Sequence, residues 1–162
     1  MSRNGTLKLA GFSLARSFVP PARTFTHEVV TLWYRPPEIL LGARTYSLPI
    51  DMWSVGAVIT EMVTKRPLFP SDSEIDALFK IFRVVGTPTE DSWPGYTTLP
   101  DWNDAFPVWD QPPLMSNVVR GFCPYGVDLI SRLLRLDPGA RLSARQALQH
   151  PYVTGLPVQP MG

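Results

Sequence analysis

The segment Pro49 to Val63, PIDMWSVGAVITEMV, constrains the fold more than any other part of the chain. Pro49 suits a first helical turn, where its missing N–H costs nothing. Asp51 places negative charge near the helix N-terminus, where the helix dipole favours it. Beyond Asp51 the segment is apolar on nearly every side, with Trp53, Val55, Ala57, Val58, Ile59, Met62 and Val63. A helix apolar all round is a central, buried helix. Several other elements must therefore be found to cover it.

Most of those elements also read as helices. Pro36-Pro37-Glu38-Ile39-Leu40-Leu41-Gly42 has proline at the start and glycine just past the end of a short helix. Ser71-x-x-Glu74 reads as a capping box opening EIDALFKIFRVV before Gly86, with Ile75, Leu78, Phe79 and Phe82 on one face. Thr87-Pro88-Thr89-Glu90 reads as a second box and Ser143-x-x-Gln146 as a third, the latter stopped by His150-Pro151. Between them, Leu129, Ile130, Leu133 and Leu134 recur at helical spacing from Gly126 to Leu136. Thr6 to Ala10 alternates weakly, as a short strand would, and residues 17 to 32 read as a long loop. The fold class expected is mainly α.

Composition narrows the class. The chain has 162 residues, 44% hydrophobic and 18% charged, which is one globular domain and not a disordered chain. A net charge of +1 implies no strong field for nucleic acid or anionic membrane, and neither is expected as a partner. No apolar run suits a signal peptide or a bilayer span, so an intracellular location, nuclear or cytoplasmic, is expected. The single cysteine, Cys123, reads as a small apolar residue with no activating charge nearby. The 18 prolines are roughly twice average usage and cluster between Pro88 and Pro113, which predicts loop-rich ground there.

The order of blocks resembles the C-terminal lobe of a eukaryotic protein kinase. KLAGFSLAR is followed by THEVVTLWYRPPEILLG, then DMWSVGAV, then DPGARLSARQALQHPY. These match the order D-F-G, activation loop, A-P-E, D-x-W-S-x-G and a late arginine. FTHEVVTLWYR, RPLFPSDSEID and IFRVVGTPTEDSWPG are similar to cyclin-dependent kinases of the cell-cycle type. The resemblance implies a partial kinase domain over residues 1–153, without an N-terminal lobe, and a tail over 154–162.

The resemblance assigns roles residue by residue. Thr26 matches a threonine that the family phosphorylates, and Arg16 matches one of the arginines that gather the phosphate; an unmodified surface threonine is the other reading. Val29, Val30 and Arg35 match the pocket for a proline after the target Ser or Thr, or else serve only loop packing. Thr31 matches a threonine bonded to the catalytic aspartate in relatives, but that aspartate has no counterpart in this sequence, so an ordinary loop threonine is expected. Glu38 and Arg141 match an ion pair that pins the activation segment, with Pro37 replacing the family's alanine. Asp51 matches the central-helix anchor of the catalytic loop. Asp72, Glu74, Ile75 and Asp76 match a docking site for a small Cks-type adaptor, or form only a well-capped helix start. A cyclin and other cell-cycle proteins are the further partners implied.

Catalysis is where the chain departs from the family. Kinases need a Gly-rich loop, a strand lysine, a catalytic-loop Asp and Asn, and the D-F-G aspartate on Mg²⁺. The sequence has no G-x-G-x-x-G, V-A-I-K or H-R-D, and Gly11-Phe12-Ser13 stands at D-F-G. Gly11 offers no oxygen to a hard cation, Ser13 restricts the backbone, and Phe12 remains as an apolar plug. Hence no catalytic residue, metal ligand, ATP or Mg²⁺ is expected for these residues alone. The expectation is a non-catalytic kinase-like module. The alternative is a proline-directed Ser/Thr kinase that uses ATP and Mg²⁺ once the other lobe is supplied. An uncovered apolar patch of Trp53, Ile59 and Met62, with poor solubility, is also expected.

Overall fold

The computed structural model describes residues 8, 10–12, 32–44, 48–110 and 118–155. Six α-helices lie among them: α1 (Pro37–Leu40), α2 (Pro49–Thr64), α3 (Glu74–Val85), α4 (Pro124–Leu133), α5 (Ala144–Leu148) and α6 (Pro151–Thr154). Two 3-10 turns, Leu32–Tyr34 and Tyr96–Thr98, lie among the described residues as well. The described residues contain no strand, so the fold is mainly α. The weak Thr6–Ala10 alternation falls mostly outside them. No helix of the described residues is long and apolar enough to cross a membrane.

Helix α2 is the centre of the packing. It lies against α4 and the first 3-10 turn, while α3 meets α1 and that same turn. Its buried stripe is Met52, Trp53, Gly56, Ala57 and Thr60. Gly56 permits the close approach to α4, since a Cβ there would sit 2.9 Å from Leu133 Cβ. The main core joins Trp53 to Phe69, Leu78, Ile81, Phe82, Ile130 and Leu134, and a smaller cluster joins Met52 to Leu129 and Leu133.

The helix is not covered on all sides, which corrects the expectation drawn from its composition. Leu48, Val55, Val58 and Met62 form a stripe at helical spacing on the opposite face, with Met62 65% exposed. The apolar patch therefore exists with a different membership. Trp53 is wholly buried, Ile59 is half-buried, and only Met62 of the expected three is exposed. Hydrophobicity measures how much surface a residue wants buried; helical phase and the neighbours present decide which residues achieve it.

Two of the three capping boxes are corrected too. The N-cap of α3 is Ser73, whose hydroxyl accepts from the Asp76 N–H, while Ser71 is buried and its hydroxyl donates to the Phe69 carbonyl. The apolar face of α3 is centred on Ala77, Leu78, Ile81 and Phe82; Ile75, in the first turn, projects beyond the core at 43% exposure. No helix starts at Thr87. The Thr87 hydroxyl instead accepts the Trp109 N–H at 2.8 Å, and the Thr89 and Ser92 side chains close a single turn. Glu90 accepts from the Gly95 N–H rather than reaching back to Thr87. The expected loop-rich ground is present over the described part, 86–110, held by aromatic rings.

The third box stands as expected, with the Ser143 hydroxyl accepting from the Gln146 N–H and the Gln146 side chain accepting from the Ser143 N–H. Helix α1 begins at Pro37 and is followed by Gly42 at φ +78°, a left-handed conformation that glycine adopts without Cβ strain. Cys123 is exposed at the N-cap of α4, not packed as a small apolar residue. Pro124 occupies the next position and directs the chain into the helix, so the thiol stays outside the core.

Candidate functional site

The best-built polar site lies where α1, the start of α2 and the loop before α5 converge. Arg141 Nη1 and Nη2 donate to Glu38 Oε1 and Oε2 at 2.8 and 2.9 Å. The guanidinium also donates to the carbonyls of Pro49 (2.7 Å), Arg135 (3.1 Å) and Leu136 (3.3 Å). Both side chains are buried. The guanidinium lies 5.1 Å over the Trp53 ring, whose other contacts include Phe69, stacked at 5.8 Å. Local sequence sets this up. Asp137 Oδ1 accepts from the Gly139 N–H at 2.8 Å, closing the tight turn that feeds Arg141 inward. A buried charge pair is tolerable only when its remaining hydrogen-bonding capacity is met, and here three carbonyls meet it.

A second cluster joins residues expected at two separate sites. Arg35 Nη1 donates to Glu74 Oε1 at 2.8 Å. The residue expected at the proline pocket is thus tied to the residue expected at the adaptor surface. Around it, Trp33 Nε1 donates to the Ser71 carbonyl (2.9 Å) and Ser54 Oγ to the Tyr34 carbonyl (2.9 Å). Tyr34 donates its hydroxyl to Glu61 Oε2 at 2.8 Å; that bond, with burial and the carboxylate's charge, raises the phenol above its usual range. These contacts lock the 32–35 segment onto α2 and α3. Asp72 is exposed, Ile75 is 43% exposed, and Asp76 bonds Lys80 at 2.7 Å. The Lys80 bond holds the Asp76 carboxyl below its usual range, although burial opposes it.

Near the C-terminus, Asp128 lies 2.9 Å from His150 Nε2 and 3.0 Å from Arg132. His150 Nδ1 accepts the Tyr152 N–H, which leaves Nε2 to carry the proton. Burial acts to raise the Asp128 carboxyl, but the His150 and Arg132 bonds and charges together outweigh it and lower it. A carboxylate lowered in the folded state stabilises at pH values above its unfolded range, about pH 4, and the benefit is lost as pH falls through the folded value. Acid unfolding of Asp128→Asn, followed by circular dichroism, is therefore expected to show a shallower loss of stability below about pH 4 than the parent.

The remaining expected residues divide into two groups. Ser13, Arg16, Thr26, Val29, Val30 and Thr31 lie outside the described residues. Gly11, Phe12 and Asp51 are described. Gly11 has φ +80° and open space where a side chain would begin. Phe12 is 67% exposed, so it is not an apolar plug; the space around it is not filled by other described residues. Asp51 is exposed in the first turn of α2, on the stripe that carries Leu48 and Val55. Among the described residues no group of three or more His, Cys, Asp or Glu side chains is placed to hold a metal ion. At the position matched to D-F-G, the described residues Gly11 and Phe12 bring no side-chain oxygen for a cation.

Sequence reasoning missed the Trp53–Arg141 stack, the Tyr34–Glu61 bond and the Arg35–Glu74 link, all pairings of residues 27 to 88 positions apart. Only the Glu38–Arg141 pairing, 103 positions apart, had a motif to announce it.

The helical fold and its buried clamp define a kinase-type lobe. The sequence model of the protein kinase domain matches residues 1–153, and the chain belongs to that family.

Proposed function

We propose that this chain is a cyclin-dependent-type kinase lobe acting as a docking and positioning module, without phosphoryl transfer of its own. The observation that carries this reading is the Arg35–Glu74 link. It ties the segment after the activation loop to the acidic start of α3, leaving Asp72 and Ile75 exposed beside it. An apolar knob flanked by carboxylates on a rigid, capped helix end suits a folded partner of the Cks-adaptor kind. Thr26, with Arg16 and the proline-pocket residues Val29 and Val30, belongs to the same reading as a regulated surface.

The ion pair Glu38–Arg141 favours a second reading. It is the scaffold a working kinase needs, so a nucleotide-binding lobe, with the catalytic-loop and magnesium-binding carboxylates also supplied by other residues, would give an active Ser/Thr-Pro kinase.

Two measurements test these readings. Immobilised Cks-type adaptor is expected to retain the chain, and Glu74→Ala with Ile75→Ala to reduce retention at least about tenfold. Retention unchanged by that double substitution removes the docking reading. Calorimetric titration with ATP and Mg²⁺ is expected to give no saturable heat. Saturable heat, with phosphate appearing on a Ser-Pro peptide, would replace the first reading by the second.

A further inference from the structure

The loop between α3 and α4 holds a feature that neither docking at α3 nor phosphoryl transfer uses. Residues 86–110 contain five carboxylates, Glu90, Asp91, Asp101, Asp104 and Asp110, and no lysine or arginine, in a chain whose net charge is +1. The same loop folds around a groove of about 450 Å³, lined by the half-buried rings of Tyr96, Trp102, Phe106 and Trp109, with Asp104 and Asp110 exposed at its rim.

The rings are held from behind. Tyr96 and Phe106 meet Trp102 edge to face at 4.6 and 5.4 Å. Phe79 of α3 supports Phe106 and Trp109 at 5.6 and 5.5 Å. Trp102 Nε1 donates to Asp104 Oδ1 at 2.8 Å, which fixes that carboxylate beside the aromatic wall. One ring already carries a cation, because Arg83 lies 5.3 Å over Trp109. The Tyr96–Trp102–Phe106 end has carboxylates nearby instead.

We propose that this groove binds a basic peptide segment of a partner protein, with one arginine or lysine side chain lying on the Tyr96–Trp102–Phe106 rings. An aromatic face attracts a cation through its quadrupole, and the stem of a long basic side chain covers apolar surface while its charge stays near carboxylates. An uncharged peptide gains only the apolar part. A neutral apolar helix would bury Asp104 and Asp110 without compensation, which disfavours it. Because the rings are packed against α3, little ordering is needed on binding.

The test uses the full chain and the probe peptide acetyl-Gly-Arg-Pro-Arg-Gly-amide, read by tryptophan fluorescence. Saturable binding is expected, with the same peptide carrying citrulline for arginine bound about tenfold more weakly. Asp104→Asn with Asp110→Asn, which keeps an oxygen for Trp102 Nε1, is expected to weaken binding about fivefold with an unchanged melting temperature. Asp91→Asn, at an exposed acid of the same loop outside the groove lining, is expected to bind like the parent. Absence of saturation, equal affinity for the arginine and citrulline peptides, or equal weakening by Asp91→Asn and the groove double variant overturns the assignment.

Discussion

Replacing Arg141 by methionine is expected to lower the free energy of unfolding by about 3–5 kcal/mol, measured by urea denaturation. The loss comes chiefly from what is left behind. Glu38 is buried, so without the guanidinium its carboxylate stays in a low-dielectric site without its partner. The carbonyls of Pro49, Arg135 and Leu136 lose a donor at the same time. Arg141→Lys is expected to recover only part, because an ammonium cannot meet both carboxylate oxygens in a fork and lie flat on Trp53. Combining Arg141→Met with Glu38→Leu is expected to be less damaging than Arg141→Met alone, since no isolated charge remains. A loss below about 1 kcal/mol for Arg141→Met would show that water reaches Glu38 and that the clamp is peripheral.

Replacing Trp53 by alanine is expected to cost about 3–5 kcal/mol, by loss of transferred apolar surface and by the cavity left between α2, Phe69 and Arg141. Trp53 is fully buried and belongs to the core cluster with Phe69, Ile130 and Leu134. Trp53→Phe is expected to cost clearly less. It keeps a ring against Phe69 and also removes Nε1, a buried donor with no hydrogen-bond partner among the described residues. Since Trp53 and Arg141 are in contact, their losses are expected not to add in a double-mutant cycle. Additive losses would mean that the ring and the guanidinium stabilise independently despite their geometry.

Local chemistry made several elements legible. Ser143 and Gln146 form the box their spacing implies, and Pro37 and Gly42 bracket α1 as their backbone preferences require. These effects act within one helical turn, so the sequence contains everything needed to find them. Ser71 shows the limit. Its spacing to Glu74 is right for a box, but its backbone lies two residues before the N-cap, Ser73, and its hydroxyl is drawn inward to Phe69. Thr87 likewise has the wording of a cap, while its hydroxyl is taken by Trp109, 22 positions away.

The site follows the same division. The block order identified the family and paired Glu38 with Arg141, because the motif carries a long-range contact that composition does not. It did not join Arg35 to Glu74, lay Arg141 on Trp53, or gather the rings of the 86–110 loop into one groove.

By itself, the sequence determined the helices with local start and stop signals and the kinase-type order of blocks. Only the tertiary structure decided which stripe of α2 is buried, which serine caps α3, and which charges meet. Capping and turn preferences are settled by neighbours along the chain, whereas burial and ion pairing depend on distances that exist only once remote segments have packed.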